Sequence, residues 1–251
     1  MLKRRIIPIE LLSGGRLIKT RVFSDSRDVG DPVKSSKVYS DQDADELVLL
    51  NVDRGNRTVS DLAAILSRIA EHCFVPLTAG GGIACADDAA RLFSAGADKV
   101  VLNSIAYRSP SVVTDISSRY GQQAVVASID VRHENGNYTL YSDCGRCRET
   151  SGLEEHITSV ITAGAGEILV QSIDHDGTMN GYDLELMRRV LAVSSVPVIA
   201  VAGAGNFSHL KDVLELGVAA AACGSLFNFG DNNPLRAKAF LKNYSIPLKR
   251  V

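Results

Sequence analysis

No charge of one sign dominates this chain: 27 Lys and Arg residues stand against 29 Asp and Glu, a net charge of −2. That balance leaves no basic excess for a nucleic acid or an anionic membrane, so any anion must be held locally. Long apolar runs are also lacking. Met1 to Pro8 carries a basic cluster, but its apolar stretch stops within a few residues, too short for a signal peptide or a membrane span. The expectation is a cytoplasmic protein. Cysteine is sparse: five residues, an odd number without framework spacing, fit a reducing compartment rather than a disulfide scaffold. Cys73, Cys85 and Cys223 read as buried small hydrophobes. No Pro/Ser-rich linker or low-complexity tract divides the chain, so residues 1–251 read as one domain.

What is present is a soluble enzyme's composition, 45% apolar and 22% charged, over a length that matches the ~250 residues of a (β/α)8 barrel. Short runs rich in Val, Ile and Leu alternate with helical stretches from end to end, which argues for βα units around a parallel sheet. The strands are expected at Arg5 to Leu11, Glu46 to Asn51, Pro76 to Ala79, Lys99 to Leu102, Ala124 to Asp130, Glu167 to Gln171, Val198 to Val201 and Ala219 to Ala222. Their continuous apolar character suits strands covered on both faces. Helix starts are signalled by Asp31 before Pro32, Ser60 before Asp61 and Ser109 before Pro110. Two longer loops are expected, Leu12 to Gly30 and the polar stretch Arg132 to Gly152.

A repeat underlies this order. At a constant offset of 121 residues, Glu46 matches Glu167, Asp53 matches Asp174, Pro76 matches Pro197, Gly82 matches Gly203, Gly96 matches Gly217, and Ser104 matches Ser225. Six distinctive positions at one offset point to a (β/α)8 TIM barrel built from two duplicated half-barrels.

The glycine clusters Gly80-Gly81-Gly82 and Gly203-Ala204-Gly205 fall where a strand ends and a helix is about to begin. No Cβ blocks the backbone amides there, and a helix N-terminus favours negative charge, so each half offers one phosphate cradle at the C-terminal face. Tight turns need glycine as well, and it is the duplication that favours phosphate. Asn103-Ser104 extends one cradle; Gly224-Ser225 and Asp176-Gly177 extend the other. Two cradles across the mouth suit a long substrate phosphorylated at both ends. Asp130 ends strand 5 between them, as a proton-moving carboxylate or as a structural cap. Lys19, in the long first loop, is either an ordinary solvated lysine or a mobile lid residue reaching the substrate.

Arg5, Glu46, Lys99 and Glu167 start strands 1, 2, 4 and 6 and are placed for a closed charged ring at the barrel floor; a purely structural ion-pair network is the alternative. Cys144-Gly-Arg-Cys147 invites a metal or redox role, but no second ligand pair stands at a suitable spacing, and none of the five histidines has ligand spacing. His175 sits beside the second phosphate loop. No metal or cofactor is expected.

Arg5-Ile6-Ile7-Pro8, Gly30-Asp31-Pro32, Asp45-Glu46-Leu47-Val48, Gly80-Gly81-Gly82-Ile83, Gly96-Ala97-Asp98-Lys99-Val100, Gly164 to Leu169, Ser172 to Thr178 and Gly203-Ala204-Gly205 together resemble the cyclase subunit of imidazole glycerol phosphate synthase. The resemblance covers nearly the whole chain. It implies a lyase-type subunit of a glutamine amidotransferase complex: a glutaminase docks on the barrel floor, and its ammonia crosses the charged ring to attack a bisphosphorylated ribotide at the mouth. It makes Arg5, Glu46, Lys99 and Glu167 the ammonia gate and Asp98 a glutaminase contact. Gly82, Asn103 and Ser104 would hold one phosphate, and Asp176, Gly177, Gly203, Gly224 and Ser225 the other. Asp130 matches one of the family's two catalytic aspartates.

The second aspartate is missing. Leu11 occupies its position, and the adjacent Glu10 should face the opposite side of the strand. Asn51 stands where the family usually has Asp, Gln171 where it often has Thr, and Val201 where it often has Ser. The stretch Leu11 to Thr20 resembles a paralogous branch encoded in surface-polysaccharide clusters. Members of that branch work with a glutaminase and a third amidotransferase-like protein in making acetamidino sugars. The resemblance thus implies ammonia supply for sugar amidation. The alternatives are an authentic cyclase of histidine biosynthesis, a non-catalytic allosteric partner of the glutaminase, and the related sugar-phosphate isomerase, which accounts poorly for the charged ring.

Overall fold

The computed structural model describes residues 3–53 and 58–249; the outermost two residues at each end of the expected 1–251 domain lie outside the described residues. Eight parallel strands close into a barrel: β1 (Arg5–Ser13), β4 (Leu47–Asn51), β5 (Leu77–Gly80), β6 (Lys99–Leu102), β7 (Val125–Glu134), β10 (Glu167–Ser172), β11 (Val198–Val201) and β12 (Ala220–Cys223). Each pairs in parallel with the next, β7 with β10 included, and the β6–β7 and β12–β1 ladders join the two halves. Helices α1 (Pro32–Asp41), α2 (Val59–Ala70), α3 (Ala86–Ser94), α4 (Ser104–Arg108), α5 (Ser111–Tyr120), α6 (Leu153–Ala163), α7 (Leu184–Val193), α8 (Phe207–Glu215), α9 (Ser225–Asn228) and α10 (Pro234–Leu241) lie between or after the strands. The chain is therefore a (β/α)8 TIM barrel, as its alternating apolar runs require.

The two halves superimpose in register along the chain. α3 starts at residue 86 and α8 at 207, α4 at 104 and α9 at 225, and β6 at 99 and β12 at 220, each pair 121 apart. Gly96 and Gly217, which turn the chain from helix into strand, hold φ of 108° and 110°.

Alternation along the strands divides the core in two. Outward residues such as Ile6, Leu47, Val100 and Ile168 pack under the helices. Inward residues fill the barrel with a second apolar cluster of Ile7, Ile9, Val48, Val101, Val126, Leu169, Ile199, Val201, Ala220 and Ala222. At ~25 cal/mol per Å² of apolar surface removed from water, both layers favour closure.

Several expectations are corrected. The loop Leu12 to Gly30 is a hairpin of β2 (Arg16–Arg21) and β3 (Ser24–Gly30), with β2 antiparallel to β1. The stretch Arg132 to Gly152 likewise continues β7 and folds back as β8 (Asn137–Ser142) and β9 (Cys147–Arg148). Asp31 does cap α1, accepting the Lys34 amide at 3.0 Å. The α2 cap is Thr58 rather than Ser60, because Thr58 Oγ1 takes the Asp61 amide at 3.1 Å. Ser109 starts no helix: it is the C-cap of α4, and α5 begins after Pro110. Cys73 and Cys223 are buried, but Cys85 is exposed, since it precedes α3 at the surface.

A buried lysine anchors the last helix. Lys238 Nζ contacts Asp43 Oδ2 and Asp45 Oδ1, each at 2.8 Å, with 1% of the Lys238 and Asp45 side chains exposed. Asp45 Oδ2 also accepts the Ile6 amide at 2.8 Å, so α10 is tied to β1 through one carboxylate.

Candidate functional site

The four floor residues meet as expected. Arg5 bonds Glu46 at 2.6 Å and Glu167 at 2.5 Å, and Lys99 bonds Glu46 at 3.0 Å and Glu167 at 2.7 Å. Two cations and two anions thus alternate around a closed ring, each acid bridging both bases. Thr78 adds a hydroxyl donor to Glu46 at 2.6 Å. Burial alone would raise the Glu46 carboxyl, but Arg5 and Lys99 overcome it and hold the group below its ordinary range. Burial likewise opposes the Arg5 charge, and the two glutamates outweigh it. Sequence reasoning missed Thr78, although it lies two residues before Gly80 and faces inward by strand alternation. Asp98 is exposed, between α3 and β6, with Oδ2 on the Leu77 amide at 2.8 Å. It stands on the same face of the barrel as the ring.

Above the ring and the apolar plug, the strand ends open into a cavity of about 690 Å³, lined among others by Leu11, Leu50, Gly82, Asn103, Ser104, Ser128, Asp130 and Gln171. Gly82 and Gly203 adopt φ of 83° and 102°, a left-handed backbone that L side chains rarely enter. A second cavity, of about 30 Å³, lies at the other side of the mouth among Lys19, Asp176, Gly177, Gly203, Gly224 and Ser225. The two candidate cradles therefore sit where the duplication puts them, but only the first stands open.

The hairpin explains the difference. Lys19 is 5% exposed and donates to the Ile9 carbonyl at 2.5 Å, which excludes the solvated alternative. Its ammonium lies where a Gly224 side chain would begin, so any larger residue there would have to push the lysine aside. Burial lowers Lys19 to about 8, with Glu10 and Asp176 opposing the shift. Asp176 holds the hairpin down, accepting from Thr20 Oγ1 at 2.6 Å and from the Phe23 amide at 3.1 Å. Its carboxylate is thus committed to the hairpin, and a phosphate at this end would meet the neighbouring amides and Lys19.

Asp130 reaches the mouth from β7 and is 7% exposed. Burial pushes its carboxyl up to about 7; the Ser128 hydroxyl, 3.4 Å away, opposes the shift, and Asp176 adds to it. A group poised near neutrality suits proton transfer. Because the folded value lies above the unfolded one, the folded state loses stability as pH rises from about 4 to 7 and regains none above that. Asp130→Asn is expected to flatten this slope and to stabilise the fold at pH 8 by on the order of 3–4 kcal/mol, an upper figure from ~1.36 kcal/mol per unit over the shift to about 7. Urea titrations at pH 5 and pH 8 check it; an unchanged pH slope in the variant would contradict the buried-acid assignment.

Leu11, 8% exposed, borders both cavities. Glu10 points the other way, 1% exposed, with Ser36 Oγ donating to it at 2.9 Å. Burial raises its carboxyl, with the Ser35 and Ser36 hydrogen bonds and Lys19 opposing the shift, and the group packs under α1 rather than standing as a base at the mouth. No bulge intervenes: Glu10 stands opposite Leu49 and Leu11 opposite Leu50 in an unbroken ladder. Asn51 and Gln171 line the larger cavity, and Val201 the smaller. Cys144 also borders the larger cavity, while Cys147 is exposed. No group of three or more metal-ligating side chains occurs among the described residues, and none of their helices is long and apolar enough to cross a membrane.

A family model described as histidine biosynthesis protein matches residues 5–233. The chain is similar to an imidazole glycerol phosphate synthase subunit HisF of an Exiguobacterium species, 38% identical over 251 residues, covering 100% of this chain and 98% of that protein. The HisF subunit of Alkaliphilus metalliredigens is 40% identical over 254 residues, with 100% of both chains covered. That of Geobacillus thermodenitrificans is 38% identical over 252 residues, covering 99% of this chain and all of that one. A duplicated barrel with a charged floor, matched end to end by HisF subunits, belongs to the histidine biosynthesis protein family as a HisF-like member.

Proposed function

We propose that this chain is the HisF-like subunit of a glutamine amidotransferase pair that receives ammonia through its floor ring and hands it on for sugar amidation rather than closing an imidazole ring. The partner glutaminase docks on the floor beside Asp98, and Arg5, Glu46, Lys99 and Glu167 gate the passage. A phosphorylated substrate binds at the mouth, with Gly82, Asn103 and Ser104 at one end and Gly177, Gly203, Gly224 and Ser225 at the other. Asp130 is the proton-moving group, Lys19 closes over the substrate, and a third amidotransferase-like protein takes up the product.

One observation carries this reading: Asp130 on β7 shares the mouth with an apolar Leu11 on β1, while the acid next to Leu11 on that strand, Glu10, is turned into the helix layer; the other acids lining the larger cavity, Asp25, Asp53 and Asp143, are carried by the hairpin and loops above the barrel strands. A two-acid cyclisation needs a second proton-transfer group, and such a group is worth ~10²–10⁴ in rate. The charged floor is retained while β1 carries no acid toward the mouth.

A second reading, an authentic cyclase of histidine biosynthesis, is favoured by relatives that are themselves synthase subunits aligned over the full chain. The two separate on one experiment. The wild-type chain is expected to fail to rescue a histidine-requiring cyclase mutant, and Leu11→Asp to raise imidazole formation ~10²-fold or more above the wild-type trace. Rescue by the wild-type chain would establish the second reading instead.

A further inference from the structure

We propose that the open end of the mouth is built for a diphosphate group, with Arg108 holding the outer phosphoryl beyond the Gly82–Ser104 cradle. The inference deepens the proposed function and rests on its phosphate-binding end.

The two ends of the mouth are unequal. About 690 Å³ stands open beside Gly82, Asn103 and Ser104, against about 30 Å³ beside Gly203, Gly224 and Ser225. The smaller space holds about one water, too little for a phosphoryl group while Lys19 lies in it. While Lys19 lies there, an anionic substrate finds its room at the first end, which is within the usual range for a small-ligand pocket and roomy enough for a sugar with a diphosphate.

Arg108 is placed to supply it. It closes α4 and stands four residues after Ser104, so both lie on one helix face. Helical side chains lean toward the N-terminus, which directs the guanidinium back over the cradle, and Arg108 borders the same cavity as Gly82, Asn103 and Ser104. Among the described residues, no ion pair engages it. A second guanidinium of this wall, on Arg146, is already paired with Asp143 at 2.8 Å.

The duplication provides an internal control. Gly82 and Ser104 recur as Gly203 and Ser225, but the position equivalent to Arg108, 121 residues on, is Phe229. The guanidinium is thus no part of the repeated framework; it is an addition confined to the open end. A single phosphoryl group is served by the cradle amides and the Ser104 hydroxyl. A planar cation beyond them matches the extra charge and oxygens of a second phosphoryl group. The acids on this wall do not cancel it: Asp53 Oδ2 takes the Gly14 amide at 3.0 Å and Asp143 is paired, which among the described loop residues leaves Asp25, near the start of β3, as the opposing charge.

Calorimetric titration of the whole chain with inorganic phosphate and with inorganic pyrophosphate tests the proposal, using wild type and Arg108→Ala. Pyrophosphate is expected to bind at least tenfold more tightly than phosphate. Arg108→Ala should weaken pyrophosphate about tenfold and phosphate by less than threefold. Arg108 is exposed, so the fold is retained, and far-ultraviolet circular dichroism verifies it. Equal affinity for the two anions in wild type would overturn the diphosphate assignment and leave the phosphate reading standing. Equal losses for both anions in the variant would overturn it too, placing Arg108 in the single-phosphate cradle. Binding of neither anion by wild type would sink both this inference and the phosphate end of the proposed function.

Discussion

Arg5→Ala is expected to cost about 3 kcal/mol of folding stability, the low end of the ~3–5 kcal/mol seen when one member of a buried ion pair is removed. The low end applies because 20% of the Arg5 side chain is exposed while only 2% of Glu46 is. Removing Arg5 leaves two neighbouring carboxylates with one ammonium, and Glu46, no longer held down, must rise or repel Glu167. The cost is therefore a property of the leftover charge. Adding Glu167→Gln should return a good part of it, so that the double variant is clearly more stable than the sum of the single losses implies. Urea denaturation of the three variants at pH 7 decides this; strict additivity would show that the ring is a set of independent surface pairs. The pH dependence has a definite sign. The folded value of Glu46 is depressed, so its contribution is present above the ordinary carboxylate range and is lost as pH falls through the folded value.

Lys238→Ala is expected to be the most destabilising single change outside the barrel interior, by ~3–5 kcal/mol, or a fall in Tm of roughly 6–20 °C at ~2–4 °C per kcal/mol for a chain near this size. Lys238 has 1% of its side chain exposed and reaches Asp45, itself at 1%, together with the Asp43 carboxylate and carbonyl. Its loss strands a buried carboxylate that also holds the Ile6 amide, and it loosens α10 from β1. Asp45→Asn in the same background should recover part of the loss by removing the stranded charge. Calorimetric melting checks both. A fall of less than about 2 °C, well under that ~2–4 °C per kcal/mol scale, would mean that water replaces the ammonium at little cost.

The barrel itself was legible because buried parallel strands have the plainest signature available, short runs of Val, Ile and Leu. The repeat was legible too, since a duplicated frame leaves its glycines in register: Gly96 and Gly217 serve the same turn. The hairpins were not. β3 spells Ser-Asp-Ser-Arg-Asp-Val-Gly and is largely exposed, and such a strand is held by its ladder to β2 rather than by any apolar period. The turns were nonetheless written in the chain. Gly14-Gly15 at φ 57° and 76°, and Asn135-Gly136 at 50° and 79°, are two-residue links joining Ser13 to Arg16 and Glu134 to Asn137, the pattern that favours hairpins.

At the site, position at the strand starts predicted the ring and strand parity the outward turn of Glu10, because both are strictly local. It could not tell that Lys19 would lie 5% exposed against the Ile9 carbonyl. That placement depends on the hairpin folding back across the mouth, a non-local event. The asymmetry of the two cradles follows from the same fold-back and was invisible in a repeat that treats the halves alike. Arg108 was invisible for a related reason: its significance lies in breaking the repeat, whose signature is the positions that keep it.

The most direct measurement pairs the chain with its glutaminase, supplies glutamine and the bisphosphorylated ribotide, and follows glutamate and imidazole product in the same reaction. The account predicts glutamine hydrolysis stimulated by the barrel, free ammonia in step with it, and imidazole product at least ~10²-fold below the glutamate formed. Imidazole product equal to glutamate, mole for mole, would contradict it.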